Sequence, residues 1–231
     1  DILSHQSGIR HYQSPQDWLD FASRSCETPD DALGYFSQDK LIAEPGVREH
    51  YSSFAYVLGS ALLTRLTGKA EFEEAFNTSL GPWAHFQLDK AGVQKAQPLI
   101  KAGLLPNRPK DLDPQAIIPM PPLNQSCKFG GGGLVFSSKD LAQAGSKLTQ
   151  GHIIPKNRFN PWEDGSDIIY GAAYNEASAI WQLSGGAPGG RSYLLVNLDT
   201  EISLAITGNI DGPNMAQSAR ALEKLWSKEV R

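Results

Sequence analysis

The sequence lacks several features that would each point to a particular class of protein. It contains only two cysteines and five histidines among 231 residues. Because these form neither a CxxC pair nor an HExxH motif, no metal site is predicted. Lysines and arginines do not cluster and the formal net charge is -4, which argues against a nucleic-acid surface. No stretch approaches the roughly 20 consecutive apolar residues that cross a bilayer.

Motifs for phosphates and dinucleotides are absent as well. The glycine run at 130–133 is not followed by Lys and Ser or Thr, so it is not a phosphate loop. The segment GGAPGG at 185–190 lies between predicted strands and has no G-x-G-x-x-G spacing. We therefore predict no cofactor.

The N-terminal end and the cysteines leave questions open. The opening DILSHQSGIRHY has no Met, no basic start and no apolar core, so we expect a processed or truncated product with any targeting segment upstream of Asp1. Cys26 and Cys127 either form one disulfide or remain free. Two buried free thiols are favoured, because Cys often packs as a small hydrophobe.

Apolar spacing and capping residues predict four helices. One begins after Ser14 with Pro15 at its first position. A second follows Tyr51-Ser52-Ser53, with an apolar face that begins at Phe54 and a stop at Gly68. A third starts at Ser137, with Asp140 completing a possible capping box. The last follows Pro213 and carries an apolar face of Met215, Ala219, Leu222 and Trp226.

Four short segments rich in β-branched and aromatic residues predict consecutive antiparallel strands, namely IIYGAAYN, SAIWQLSG, RSYLLVNL and EISLAITGN. Together with the helices they indicate an α+β fold. YLLV and SLAI are apolar on successive residues, which predicts burial on both faces, with only the C-terminal helix nearby to cover them. Residues 91–128 are predicted to form an irregular surface excursion, and residues 151–168 another loop.

A nucleophile is not evident from the residues alone. The sequence has no G-x-S-x-G elbow, and its only Ser-x-x-Lys is Ser37-Gln38-Asp39-Lys40. Pro45 would break any helix soon after Lys40, and a four-letter match with two fixed positions arises readily by chance. We do not interpret Ser37 as a nucleophile.

Four segments in the same order resemble one family, the class C β-lactamase-like and penicillin-binding-protein-like serine hydrolases. They are LSHQSGIRHY, EPGVREHYSSFAYVLGSALLTRLTG, FGGGGLVFSSKDLAQ and LSGGAPGGRSYLLVN. The GIRHY continuation is similar to the branch that contains the mitochondrial β-lactamase-like protein. The resemblance implies an antiparallel sheet flanked by helices with a mostly helical inserted region, residues 1–165 forming a helical and loop region and 166–231 strands and a helix.

The resemblance also implies roles for individual residues. Tyr51 matches the tyrosine that acts as general base on the serine and as acid toward the leaving group. Ser53 stands where the family has Asn or Thr. Ser184 and Gly185 match the substrate-binding edge of the third motif, and the N–H of Gly186 matches an oxyanion donor.

The sequence departs from the family pattern in two ways. Leu183 occupies the position of a Lys or His that helps to bind a substrate carboxylate. The family's Ser-x-x-Lys precedes the LSHQSG segment, so the nucleophile, its lysine and the first strands are expected in an upstream N-terminal segment.

The resemblance implies a hydrolase of small-molecule or peptide esters and amides that acts through an acyl-enzyme. Its location would be extracytoplasmic or mitochondrial. The alternative, suggested by Leu183 and Ser53, is a catalytically inactive fold used for binding or assembly.

Overall fold

A computed structural model describes residues 1–89, 95–104, 108–120, 124–155, 168–210 and 214–229. The helices are α1 Pro15–Ala22, α2 Pro29–Leu33, α3 Ser53–Thr67, α4 Phe72–Leu80, α5 Ser138–Thr149 and α6 Met215–Glu229. The strands are β1 Gln87–Leu88, β2 Leu99–Lys101, β3 Ile117–Pro119, β4 Leu134–Val135, β5 Ile168–Ile169, β6 Ala172–Asn175, β7 Ile180–Ala187, β8 Gly190–Asn197 and β9 Ile202–Gly208. Across these ranges, none of the helices has the length and apolar character needed to cross a membrane.

The four predicted helices are confirmed, and their ends follow from local chemistry. Ser14 caps α1 by accepting a hydrogen bond from the Asp17 N–H, and Ser137 caps α5 by accepting one from Asp140. Gly68 ends α3 in the left-handed region at φ 66°, which glycine adopts without steric cost. Helices α2 and α4 were not predicted. The first is only five residues long, and Glu71 before α4 makes no side-chain cap.

The main sheet is antiparallel, with strand order β5-β6-β7-β8-β9. The segment predicted as one strand, IIYGAAYN, instead forms the two short strands β5 and β6. Tyr170 and Gly171 between them both have positive φ, 52° and 78°, which turns the chain back on itself. The prediction of consecutive antiparallel strands is otherwise confirmed.

The sheet is covered on both faces, which corrects one expectation. Leu194 and Val196 of β8 pack with Leu141 and Leu148 of α5. The alternate residues of β8 pack on the other face with α6, whose contributions are Met215 and Ala219. The second face is therefore covered by α5, a helix that lies far from β8 in the sequence and was not predicted to pack there.

Only the first part of the predicted α6 face is buried. Leu222 and Trp226 are 43% and 52% exposed, whereas Glu223 is buried and its carboxylate accepts a hydrogen bond from the Asn197 side chain at 2.9 Å. The stripe on the sheet thus runs through Met215, Ala219 and Glu223, at i, i+4 and i+8.

The region 91–128 is more regular than predicted. Strands β2 and β3 pair within it as an antiparallel hairpin, and Leu99 also bridges to Ile210 at the end of the main sheet. The strands are three residues each, too short for alternation to signal them. Of the predicted loop 151–168, residues 156–167 lie outside the described residues.

A second core lies among the helices and is closed by a disulfide. Phe54 of α3 is fully buried and stacks on Phe36 with ring centroids 4.5 Å apart. Cys26 and Cys127 border this core and form a disulfide with Cα atoms 4.9 Å apart. The preference for free thiols is therefore wrong. Disulfide-bonded cysteines are buried as often as free ones, so burial does not distinguish the two states. The separation of two cysteines along the chain also does not show how close they lie in the folded protein.

We expect loss of the disulfide to destabilise the protein by about 2–5 kcal/mol, because the bond closes a loop of 101 residues in the unfolded chain. Cys26→Ala, Cys127→Ala and the double variant should lose similar amounts in urea unfolding, since each removes the same cross-link. Losses that add in the double variant, or an oxidised protein no more stable than a reduced one, would contradict this.

Candidate active site

The first turn of α3 is fixed by its cap. The Ser52 hydroxyl accepts a hydrogen bond from the Ala55 N–H at 3.1 Å and donates one to the Arg10 carbonyl at 2.8 Å. Ser52 is fully buried, so both bonds are shielded from water. The cap therefore joins α3 to the segment that precedes α1.

Two histidines from that segment bind the same turn. The Nδ1 atom of His5 accepts from the Ser52 N–H at 3.3 Å, and Nδ1 of His11 accepts from the Ser53 N–H at 3.2 Å. Accepting through Nδ1 requires an unprotonated nitrogen. Burial lowers the pKa of His5, and burial followed by the nearby His50 lowers the pKa of His11. Both imidazoles are thus kept in the neutral form that these bonds need.

Tyr51 stands between these histidines and faces solvent. Its ring centroid is 4.6 Å from that of His5 and 4.9 Å from that of His11, yet the residue is 58% exposed. Its hydroxyl lies 3.5 Å from the Ser53 hydroxyl, and Ser53 itself is buried. The ring therefore contacts both histidines while the residue as a whole stays exposed.

The second predicted site segment lies on an open strand edge. Strand β7 pairs with β6 only through Ile180, Trp181 and Gln182, whereas its whole length pairs with β8. Along 183–187, one edge of β7 has no partner strand in the described part of the chain. Unpaired backbone groups on such an edge can bind an extended ligand.

The hairpin loop decides which backbone groups point to this edge. Pro188 and Gly189 form a two-residue loop between Ala187 and Gly190, which makes these flanking residues a hydrogen-bonded pair. Bonding to β8 then alternates along the strand. The backbone N–H and C=O of Ser184 and Gly186 accordingly point to the open edge.

Glycine at 185 and 186 leaves room for side chains of β8. A Cβ at Gly186 would lie 2.0 Å from Nη1 of Arg191, and one at Gly185 would lie 2.3 Å from Oγ of Ser192. The guanidinium of Arg191 thus covers one side of this edge.

One cleft contains all of these residues. Tyr51, Ser53, Leu183, Ser184, Gly185 and Gly186 line a cavity of about 2960 Å³, against roughly 300–1,000 Å³ for an ordinary small-molecule site. Leu183 is 42% exposed within it. Ser37 and Lys40 are exposed in a turn after α2 and are not among the lining residues.

A glycine-rich turn supports the Tyr51 side of this cleft. A Cβ at Gly131 would lie 2.6 Å from the Ser53 carbonyl oxygen, and one at Gly130 would lie 2.8 Å from the Ser60 hydroxyl. The glycines therefore let the 126–131 turn pack directly on α3. Phe129 within the turn is fully buried and has φ 43°, a conformation that a bulky residue rarely adopts.

The contacts of His5 and His11 with α3, and the burial of Lys128 beside the cleft, were not predicted from the sequence. The two histidines lie in the quoted LSHQSGIRHY segment, where only the pattern and not the contact was visible. Lys128 precedes the glycine run without any motif of its own. Within the described residues, no group of His, Cys, Asp and Glu is arranged to hold a metal ion.

Comparison with known proteins shows what kind of protein this site belongs to. The Beta-lactamase family model matches residues 1–225, and no curated protein matches. A penicillin binding protein from Bacillus halodurans is similar at TM-score 0.75 and 16% identity over 97% of this chain. A D-stereospecific amidohydrolase from Streptomyces sp. gives 0.68 and 22% over 91%, and a D-amino acid amidase from Ochrobactrum anthropi SV3 gives 0.64 and 18% over 90%.

The protein therefore belongs to the β-lactamase family and has its α+β fold. The family and fold predicted from the sequence are confirmed, although the mitochondrial branch is not shown. This chain corresponds to 71%, 67% and 63% of the length of the three similar structures.

The neutral state of His5 predicts acid sensitivity. The pKa of His5 in the folded protein lies below the ordinary value. The contribution of neutral His5 to the free energy of unfolding is therefore complete above about pH 6.5 and is lost as the pH falls below that value. His5→Asn should flatten this fall, because Asn tolerates the positive φ of 58° and offers a non-titrating acceptor. The check is the free energy of urea unfolding against pH. Parallel curves for wild type and variant would contradict it.

Proposed function

We propose that the whole protein is a serine hydrolase that cleaves an ester, amide or peptide bond through an acyl-enzyme. Tyr51 acts as general base on the serine and then as acid toward the leaving group. The N–H of Gly186 donates to the oxyanion, and Ser53, Ser184 and Gly185 bind substrate. The observation that carries the proposal is the exposed Tyr51, whose ring contacts two neutral histidines, in one cleft with the open edge of β7.

The nucleophilic serine and its lysine are proposed to come from an upstream segment. Three observations support this part. The chain corresponds to 63–71% of the three similar structures. Within the described residues β9 is an edge strand, and Leu222, Leu225 and Trp226 of α6 are 43%, 63% and 52% exposed. The cleft is also larger than a small substrate needs.

The proposed reaction has the two steps of a serine hydrolase, acylation of the serine and hydrolysis of the acyl-enzyme. The serine Oγ attacks the carbonyl carbon while its proton passes to Tyr51, and the developing oxyanion is stabilised by the Gly186 N–H. The leaving amine or alcohol takes a proton from Tyr51. Water then hydrolyses the acyl-enzyme, with the same tyrosine available as base. The substrates named for the similar amidases suggest an amide bond as the first class to test.

A second candidate function, a non-catalytic binding module of the same fold, is suggested by Leu183. This exposed apolar side chain occupies the position of a donor or cation on the cleft edge. The same experiment separates the two functions.

The nucleophile is tested by labelling. The intact protein with its upstream segment should react covalently with a fluorophosphonate, one equivalent per chain, and peptide mass spectrometry should locate the adduct upstream of Asp1. A folded sample that is not labelled would refute the hydrolase and leave the binding module. An adduct on Ser37 would refute the upstream origin.

The proposed role of Tyr51 as general base is tested by removing its hydroxyl group. Tyr51→Phe should lower kcat/KM for p-nitrophenyl acetate by about 10²–10⁴-fold, the usual worth of general acid–base catalysis. Tyr174→Phe removes a hydroxyl on β6 outside the cleft and should leave the rate unchanged. Equal rates for Tyr51→Phe and the wild type would exclude Tyr51 as the base.

A further inference from the structure

Lys128 is a buried cation that the proposed chemistry does not use. The residue is only 6% exposed, and it precedes the glycines that seat the 126–131 turn on α3. In the described part of the chain its ammonium donates no hydrogen bond and has no carboxylate within ion-pair distance. Its Nζ lies over the ring of Trp18, 5.4 Å from the ring centroid. Buried lysines are ordinarily paired, because taking a charge out of water is costly.

The residues around Lys128 enclose its ammonium group but do not balance its positive charge. Asp89 attracts the charge, but its carboxylate is ion-paired with Lys95. Burial lowers the pKa of Lys128 to about 8, so the ammonium is still the major form at neutral pH. The Trp18 ring supplies a partial counterpart through its π face. A carboxylate is the group that would complete the site.

The position of Lys128 connects this cation to the cleft of Tyr51. Both residues line that cleft. The charge of Lys128 is close enough to contribute to the lowered pKa of His11, whose ring contacts Tyr51. Gln125, joined to Lys128 by a backbone hydrogen bond of 3.0 Å, also lines the cleft.

We propose that Lys128 binds a carboxylate of the ligand in this cleft and thereby supplies the cation that Leu183 does not. The bound group is an organic acid whose carboxylate pairs with the ammonium beside the Trp18 ring. As a substrate subsite the assignment rests on the proposed function, and it specifies substrates that carry a free carboxylate. As a binding site it is independent of catalysis.

Binding of phenylacetate and 2-phenylethanol to the intact protein tests this assignment without turnover. The two probes share a benzyl group, and the neutral hydroxymethyl group of the alcohol replaces the carboxylate of the acid. Wild type should bind phenylacetate about ten- to a hundredfold more tightly, the usual worth of a charged hydrogen bond. Lys128→Met keeps an unbranched apolar side chain and should remove this preference while leaving 2-phenylethanol binding unchanged.

Lys147→Met is the matched control. Lys147 also lies over a tryptophan, with Nζ 5.5 Å from the Trp83 centroid, but it is outside the cleft. This variant should bind both probes as the wild type does. A wild type with no preference for the acid, or a Lys128→Met variant that retains the preference, would overturn the assignment. Because neither probe contains an ester, amide or peptide bond, neither is hydrolysed, and failure of the labelling experiment would not affect this result.

Discussion

The first turn of α3 is the constraint on which the rest of the structure depends. Ser52 caps the helix and also donates a hydrogen bond to the Arg10 carbonyl. The Nδ1 atoms of His5 and His11 accept hydrogen bonds from the N–H groups of Ser52 and Ser53. The bonds from the N–H groups of Ser52, Ser53 and Ala55 satisfy backbone donors that helix geometry leaves without a partner. These contacts lock the N-terminal segment onto α3. As a result, Phe54 is directed into the helical core and Tyr51, three residues earlier, into the cleft.

The opposite side of the cleft depends on a different constraint, the short length of β6 compared with β7. Because β6 stops opposite Gln182, the remainder of β7 is left with an open edge. The two-residue loop at Pro188-Gly189 then fixes which backbone groups point outward. A rigid sheet, covered by α5 and α6, holds this edge in place. The proposed functions of Tyr51, Gly186 and Lys128 all assume that such rigid elements face one another across the cleft.

Much of the fold could be predicted because its signals are local. Ser14, Ser137 and Gly68 mark helix ends through bonds made within one turn. Strands with alternating or doubly apolar patterns identified the sheet. Helices α2 and α4 and the hairpin of β2 and β3 were missed, because their elements are too short or uncapped to produce a pattern. The disulfide was misjudged, since pairing of Cys26 and Cys127 depends on a distance across 101 residues.

The sequence by itself determined the family, the order of most elements and the candidate residues Tyr51, Ser53, Ser184, Gly185 and Gly186. These depend on local patterns and on motifs read in order along the chain. Only the tertiary structure decided that α5 covers the second face of the sheet and that His5 and His11 hold Tyr51. It also decided that Lys128 lies buried without a carboxylate partner among the described residues. Each of these depends on contacts between distant segments, whose distances and burial are set by packing.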